Sequence, residues 1–160
     1  MKEGKILAAS QHGAYVIRLT GDVRLTLCTT IDDYFQKMFD DPGFVSVWVD
    51  LCDAEGIDST TLGMLAKLAL QVQERFSFVP VIYSCNVGIN RLLRSMGFQR
   101  LFELRQESCS DVQSNNELPV VLGTEQAVKE KVIEAHRVLM GLSAENRARF
   151  ENLMAVLEQG

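Results

Sequence analysis

VDLCDAEGIDSTTLG, residues 49–63, decides how this chain is read. It closes a run, FVSVWVDL (44–51), that is nearly continuous in β-branched and aromatic residues, as in a strand buried on both faces. Residues 52–58 read as a loop. That loop delivers Asp58-Ser59-Thr60-Thr61 to a helix of about 59–75, whose apolar stripe is Leu62, Leu65, Ala66, Ala69 and Val72. Asp, Ser and Thr are preferred at helix starts because their oxygens satisfy otherwise orphaned N–H groups, so capping alone explains these residue types. The same geometry also suits a switch. A hydroxyl at a helix N-terminus is exposed and held in place, and phosphorylation would add close to two negative charges that the helix dipole accommodates.

Working outward, residues 4–9 (GKILAA) and 14–20 (AYVIRLT) read as two short strands with His12-Gly13 as a hairpin turn, and Gly21-Asp22 breaks the second. Residues 30–40 read as a helix on Ile31, Tyr34, Phe35 and Met38, with Thr30 as N-cap, Asp32 and Asp33 near its positive end, and Asp41-Pro42-Gly43 as its stop. Beyond residue 75 come a buried strand at 79–85, a short helix at 87–96 ended by Gly97, and an apolar turn or short strand at 98–104. Residues 106–118 are polar without apolar periodicity and read as linker. Two amphipathic helices follow. One spans 124–141 on Val128, Val132, Ala135, Val138 and Leu139; the other spans 143–158 on Phe150, Leu153, Met154 and Leu157. Gly141-Leu142 is the bend between them and Ser143 the second N-cap.

The order β-β-α-β-α-β-α followed by a helical pair predicts an α/β fold: a mixed sheet covered on one side by helices, with a C-terminal two-helix extension. The division expected is a domain at 1–105, a linker at 106–123 and a helical extension at 124–160.

Composition narrows the function. The 160 residues are 47 % hydrophobic and 23 % charged, ordinary globular values. The net charge is −5, which argues against a dedicated nucleic-acid binder. The acidic bias lies in the tail: residues 1–105 carry 11 basic and 12 acidic groups, residues 106–160 carry 5 and 9. No apolar run approaches the roughly 18 residues of a membrane span, and MKEGKILAAS lacks the apolar core of a signal peptide. Cys28, Cys52, Cys85 and Cys109 are widely spaced, without CxxC, and read as reduced, mostly buried thiols. The chain is expected to be cytoplasmic, without cofactor or metal.

Catalytic signatures are missing. Ser59 is not in G-x-S-x-G, and neither His12 nor His136 sits in a context that marks a base or a zinc ligand. There is no P-loop and no G-x-G-x-x-G. Asp22, Asp50, Asp53 and Asp58 fall near strand ends and read as solvated loop carboxylates.

Asp58-Ser59-Thr60-Thr61-Leu62-Gly63 after a V-x-V-D-L strand resembles the D-S-[ST]-G-L-G signature of STAS domains, most closely the bacterial anti-sigma factor antagonists. Leu19-Thr20-Gly21-Asp22-Val23 resembles the family's L-x-G-E-L turn. Asn86-Val87, Arg91-Leu92-Leu93 and Ser95-Met96-Gly97-Phe98 resemble its N-V…R-L-[LF]…S-G-[LF] segment. The resemblance spans 4–104. It implies a STAS-like sheet backed by helices and a phosphorylation switch in transcription regulation. In that switch the unphosphorylated protein binds an anti-sigma factor. A GHKL-type serine kinase, often that same factor, modifies the Ser after the motif Asp. A PP2C-type phosphatase reverses the step. Carried over, Ser59 is the phosphoacceptor and Thr60 the alternative, while Arg24, Asp58, Ser59, Thr60, Thr61 and Met64 form the partner-binding surface. Two residues depart from the family: Thr61 stands where it usually has Gly, and Arg24 where many antagonists carry Asp. Another role known for such domains is a subunit clamping the ATPase of a lipid ABC transporter, without a phosphorylation cycle. The helical extension has no counterpart in the minimal domain. Its stripes can pack on the domain, hold a partner or pair two copies into a homodimer.

Overall fold

The computed structural model describes residues 1–109 and 116–159. Strands β1 (Lys5–Gln11) and β2 (Ala14–Val23) form an antiparallel hairpin. Its two-residue turn puts His12 at φ 51° and Gly13 at φ 82°, the left-handed pair that matches the twist of the flanking strands. β3 (Ser46–Asp50), β5 (Val81–Tyr83) and β6 (Glu103–Arg105) add in parallel, giving the order β6-β5-β3-β2-β1.

Alternation along the strands assigns the two faces. Ile17, Leu19, Val47, Val49 and Ile82 point into the main core, together with α1 (Cys28–Asp40), α2 (Ser59–Phe76) and α3 (Val87–Ser95). The other face carries Trp48, Val81 and Tyr83, where Cys52 and Cys109 pack in a small second cluster. It also carries the Arg18–Asp50 ion pair, with Nε 2.9 Å from Oδ2 and both side chains largely buried. The mixed sheet with helices on one side is the architecture read from the sequence.

Four local readings need correction. Gly21-Asp22 does not end β2. The strand runs on to Val23 through a register shift, reaches past β3, and pairs in parallel with β4 (Ala54–Ile57). Residues 52–58 are therefore partly strand. Ala-Glu-Gly-Ile lacks β propensity, but the overhanging end of β2 offers backbone groups that need partners, and tertiary pairing overrides propensity. Second, Thr30 is not an N-cap. A 3-10 turn at Leu25–Leu27 feeds α1 from Cys28, and Thr30 lies buried with its Oγ1 accepting from Val121 N–H at 2.9 Å. Third, the polar stretch after residue 105 is not only linker: β7 (Asn116–Glu117) pairs with the edge of β1. Fourth, the thiols differ. Cys28 and Cys109 are buried, Cys52 is half-buried and Cys85 is exposed; all four are free. Burial is the largest of the causes that push the Cys52 thiol up, with neighbouring Cys85 and Asp50 adding to it.

The C-terminal pair is α4 (Glu125–Met140) and α5 (Ala144–Gln159). Thr124 Oγ1 caps α4 and Ser143 Oγ caps the start of α5. Ala135, Leu139 and Phe150 join the main core, so the pair is part of the packed body: α4 lies mainly on α2, and α5 packs on α4. Asn146, fully buried, donates from Nδ2 to the carbonyls of Leu139 at 2.9 Å and of Met96 at 3.0 Å, tying α5 to both α4 and the end of α3. Leu153 faces solvent instead of the core, because only Phe150 and Met154 of that stripe reach the interface.

Candidate functional site

The start of α2 is organised by Asp58. Its backbone is extended, and Oδ1 accepts the Thr61 N–H at 2.9 Å as an N-cap. Oδ2 accepts the Leu25 N–H at 2.7 Å. One carboxylate therefore closes two helical starts and fixes the β2–α1 turn beside α2. Each bond is charge-assisted and correspondingly strong. Arg24 sits on that turn with its guanidinium exposed, bonded by Nε to Asp22 Oδ2 at 2.8 Å. The hydrogen bond and charge of Asp22 raise the Arg24 pKa above its ordinary value.

Ser59 is the first residue of α2 and is half-buried. Its Oγ lies 2.8 Å from Nε2 of His136, on α4. His136 Nδ1 lies 2.7 Å from the Val132 carbonyl. A carbonyl can only accept, so the Nδ1 proton is committed to it, and Nε2 of the neutral ring accepts the Ser59 hydroxyl proton. The ring is 2 % exposed and meets Phe150 edge-on, with centroids 5.1 Å apart.

The other residues expected on the partner surface are placed differently. Thr60 and Thr61 are buried, and Thr61 Oγ1 has no hydrogen-bond partner. A β-branched residue is accommodated there because Thr61 points into the body, away from Ser59's open side. Met64 is 6 % exposed and lines a cavity of about 150 Å³ with Asp32, Phe35, Lys67, Lys131 and Ala135, between α1, α2 and α4. Of the six residues, only Arg24 stands fully open to solvent, with Asp58 and Ser59 half-buried beside it.

Sequence reasoning missed the reason for this burial. Gly63 lies under α4 so closely that a Cβ there would fall 2.3 Å from the Ala135 carbonyl oxygen. Lys67 pairs with Glu134, and Lys131 Nζ lies 3.9 Å from Asp32 Oδ2. The signal was available in part: His136 lies between Ala135 and Leu139 on the apolar face of α4, where a lone His needs a partner for its ring nitrogens.

The acidic residues near strand ends do not converge. Asp22 serves Arg24, Asp50 serves Arg18, Asp58 caps α2, and Asp53 is exposed. Among the described residues no group of three or more His, Cys, Asp or Glu side chains could hold a metal ion. No described helix is long and apolar enough to cross a membrane.

No protein-family model and no curated protein sequence matches the chain. Among solved structures, the crystal structure of an anti-sigma factor antagonist from Mycobacterium paratuberculosis is similar at 15 % identity, with a TM-score of 0.52. The match covers 64 % of this chain and 86 % of that one. The likeness is one of fold, and it is the STAS-like fold expected from residues 4–104.

Proposed function

We propose that this chain is an anti-sigma factor antagonist, a non-enzymatic regulator controlled by phosphorylation of Ser59; the burial of Thr60 takes it out of reach as an alternative acceptor. The observation that carries the reading is the Asp58 double cap. It holds the Ser59 hydroxyl at the first turn of α2, beside the exposed Arg24 turn, on a fold shared with a known antagonist. Phosphate at that position gains from the helix N-terminus, and it presents a partner with new bulk and charge. The unphosphorylated form binds the anti-sigma factor or GHKL-type kinase around Arg24, Asp58 and Ser59, and phosphorylation releases it. A PP2C-type phosphatase resets it.

The Ser59–His136 contact has the spacing of a hydrolase nucleophile and its base. The regulator reading is preferred because the imidazole is sealed by Phe150 and α4, leaving a substrate no approach to both groups. A fluorophosphonate probe is expected to leave Ser59 unlabelled.

The deciding experiment is intact mass and peptide mapping of the protein isolated from its own cells under growth and stress, beside Ser59→Ala. A +80 Da species at Ser59, absent in the variant, is the expected result. An unmodified protein under every condition would overturn the reading.

A further inference from the structure

The Ser59 surface is already occupied by the chain itself. α4 lies on the face of α2 that carries Ser59, Gly63, Met64 and Lys67, and each of the four has a partner there. Ser59 Oγ donates a hydrogen bond to His136 Nε2 at 2.8 Å. Gly63 lets the Ala135 backbone approach to a distance no side chain would allow. Met64 is buried beside Ala135, and Lys67 pairs with Glu134. A kinase must bring a phosphoryl donor in line with Oγ, and a docking protein must cover the same turn. Neither can do so while the imidazole sits on that oxygen.

We propose that the C-terminal helix pair is an internal occupant of the Ser59 face, latched by the Ser59–His136 hydrogen bond, and that it must swing away before kinase or partner can engage. The inference rests on the reading of Ser59 as phosphoacceptor.

The polar contacts differ in exposure. Lys67–Glu134 lies at the rim, where the Glu134 side chain is 53 % exposed, whereas Ser59 is half-buried and His136 is buried behind it. Exposed ion pairs of this kind add little net stability. Asn146 holds α5 to the end of α3 and to Leu139 of α4, and Thr30 holds the segment before α4 through the Val121 N–H. Uncovering Ser59 therefore also lifts Ala135 and Leu139 out of the main core, which the sheet and α1–α3 otherwise build. Once Ser59 is phosphorylated the closed arrangement is lost. A phosphorus bonded to Oγ would need the space that Nε2 fills 2.8 Å away, so the modified chain stays open until dephosphorylated.

The test compares wild type, His136→Ala and Glu134→Lys as full-length chains. The second variant reverses an exposed charge opposite Lys67 and does not touch the core. The first readout is peptide-resolved hydrogen exchange; the second is Ser59 phosphate occupancy in the protein's own cells. Exchange in residues 59–68 and in α4 is expected to quicken at least tenfold in His136→Ala and at least threefold in Glu134→Lys, with occupancy rising in the same order. Unchanged exchange in both variants would overturn the proposal. So would quickened exchange with occupancy equal to wild type, because the site would then be reached with α4 in place. Quickened exchange with no phosphate in any chain would support the releasable latch and refute the phosphoacceptor reading.

Discussion

Replacing Gly63 by Ala tests the contact between α2 and α4 most directly. An ideal Cβ at residue 63 lies 2.3 Å from the Ala135 carbonyl oxygen and 2.6 Å from its Cβ. Carbon atoms in contact prefer about 3.5–4.0 Å, so α4 must retreat by about 1 Å along much of its length. Overpacking of this kind costs about 1–3 kcal/mol. Ala in a helix interior recovers up to about 1 kcal/mol relative to Gly. The net expectation is a loss of about 0–3 kcal/mol. Gly88 in α3 is the internal reference. It is exposed, and the nearest atom to its added Cβ is Asn86 Oδ1 at 3.3 Å. That oxygen caps Ile89 and must give by a few tenths of an ångström, so Gly88→Ala is expected to be near neutral. At about 2–4 °C per kcal/mol for a chain of this size, Gly63→Ala should melt several degrees below Gly88→Ala. Thermal unfolding by circular dichroism measures this. Gly63→Ala melting as high as Gly88→Ala would refute the close approach and, with it, the packing of α4 on the Ser59 face.

Asp58→Ala removes both the α2 cap and the tether to Leu25, and should cost about 2–4 kcal/mol. Asp58→Ser keeps the cap and should recover about half, and equal melting temperatures for the two would show that the Leu25 bond contributes nothing. Asn146→Ala strands the buried Met96 carbonyl and leaves a void, an expected loss of about 1–3 kcal/mol; a melting temperature within 1 °C of wild type would refute the anchoring role. Tyr15 donates its hydroxyl to Asp41, and burial together with that carboxylate pushes its pKa up to about 12. The folded chain thus holds this proton more tightly than the unfolded one, whose tyrosine titrates near ~10. Stability should be complete below that pH and fall as pH rises toward 12; denaturant midpoints flat across this window in wild type, or equal in wild type and Tyr15→Phe, would refute it.

The legible parts of the sequence were those where local pattern and tertiary demand agree. The near-continuous apolar run of β3, the 3.6-residue stripes of α1, α2 and α4, and the Asp58 and Ser143 caps all appear at or within a few residues of where they were read. What was illegible came from partners distant in sequence. β4 forms because β2 overshoots β3, and nothing within Ala54–Ile57 announces that. Thr30 reads as a cap by type, yet its hydroxyl serves Val121, 91 residues away. Leu153 fits the stripe of α5 by spacing and still faces solvent, since the helix touches the body over a narrower seam than its apolar residues span.

The site shows the same division with a sharper consequence. Asp58, Ser59 and Arg24 lie together at one end of the fold, because a helix start and a strand end are local features. Thr60, Thr61 and Met64 were expected beside them on the surface, and their burial follows from rotation about α2 and from the arrival of α4. His136 decides what Ser59 can do, and it is 77 residues away from it. A serine at a bare helix start is open to any approaching enzyme. Here its proton is held by an imidazole whose other nitrogen is tied to its own helix backbone, so freeing the hydroxyl means moving α4. The cost of that movement, rather than the acidity or exposure of Ser59, would then set how readily the switch is thrown. Under the proposed switch, Glu134 and Ala135 of α4 would be tuning positions for a signal received at Ser59.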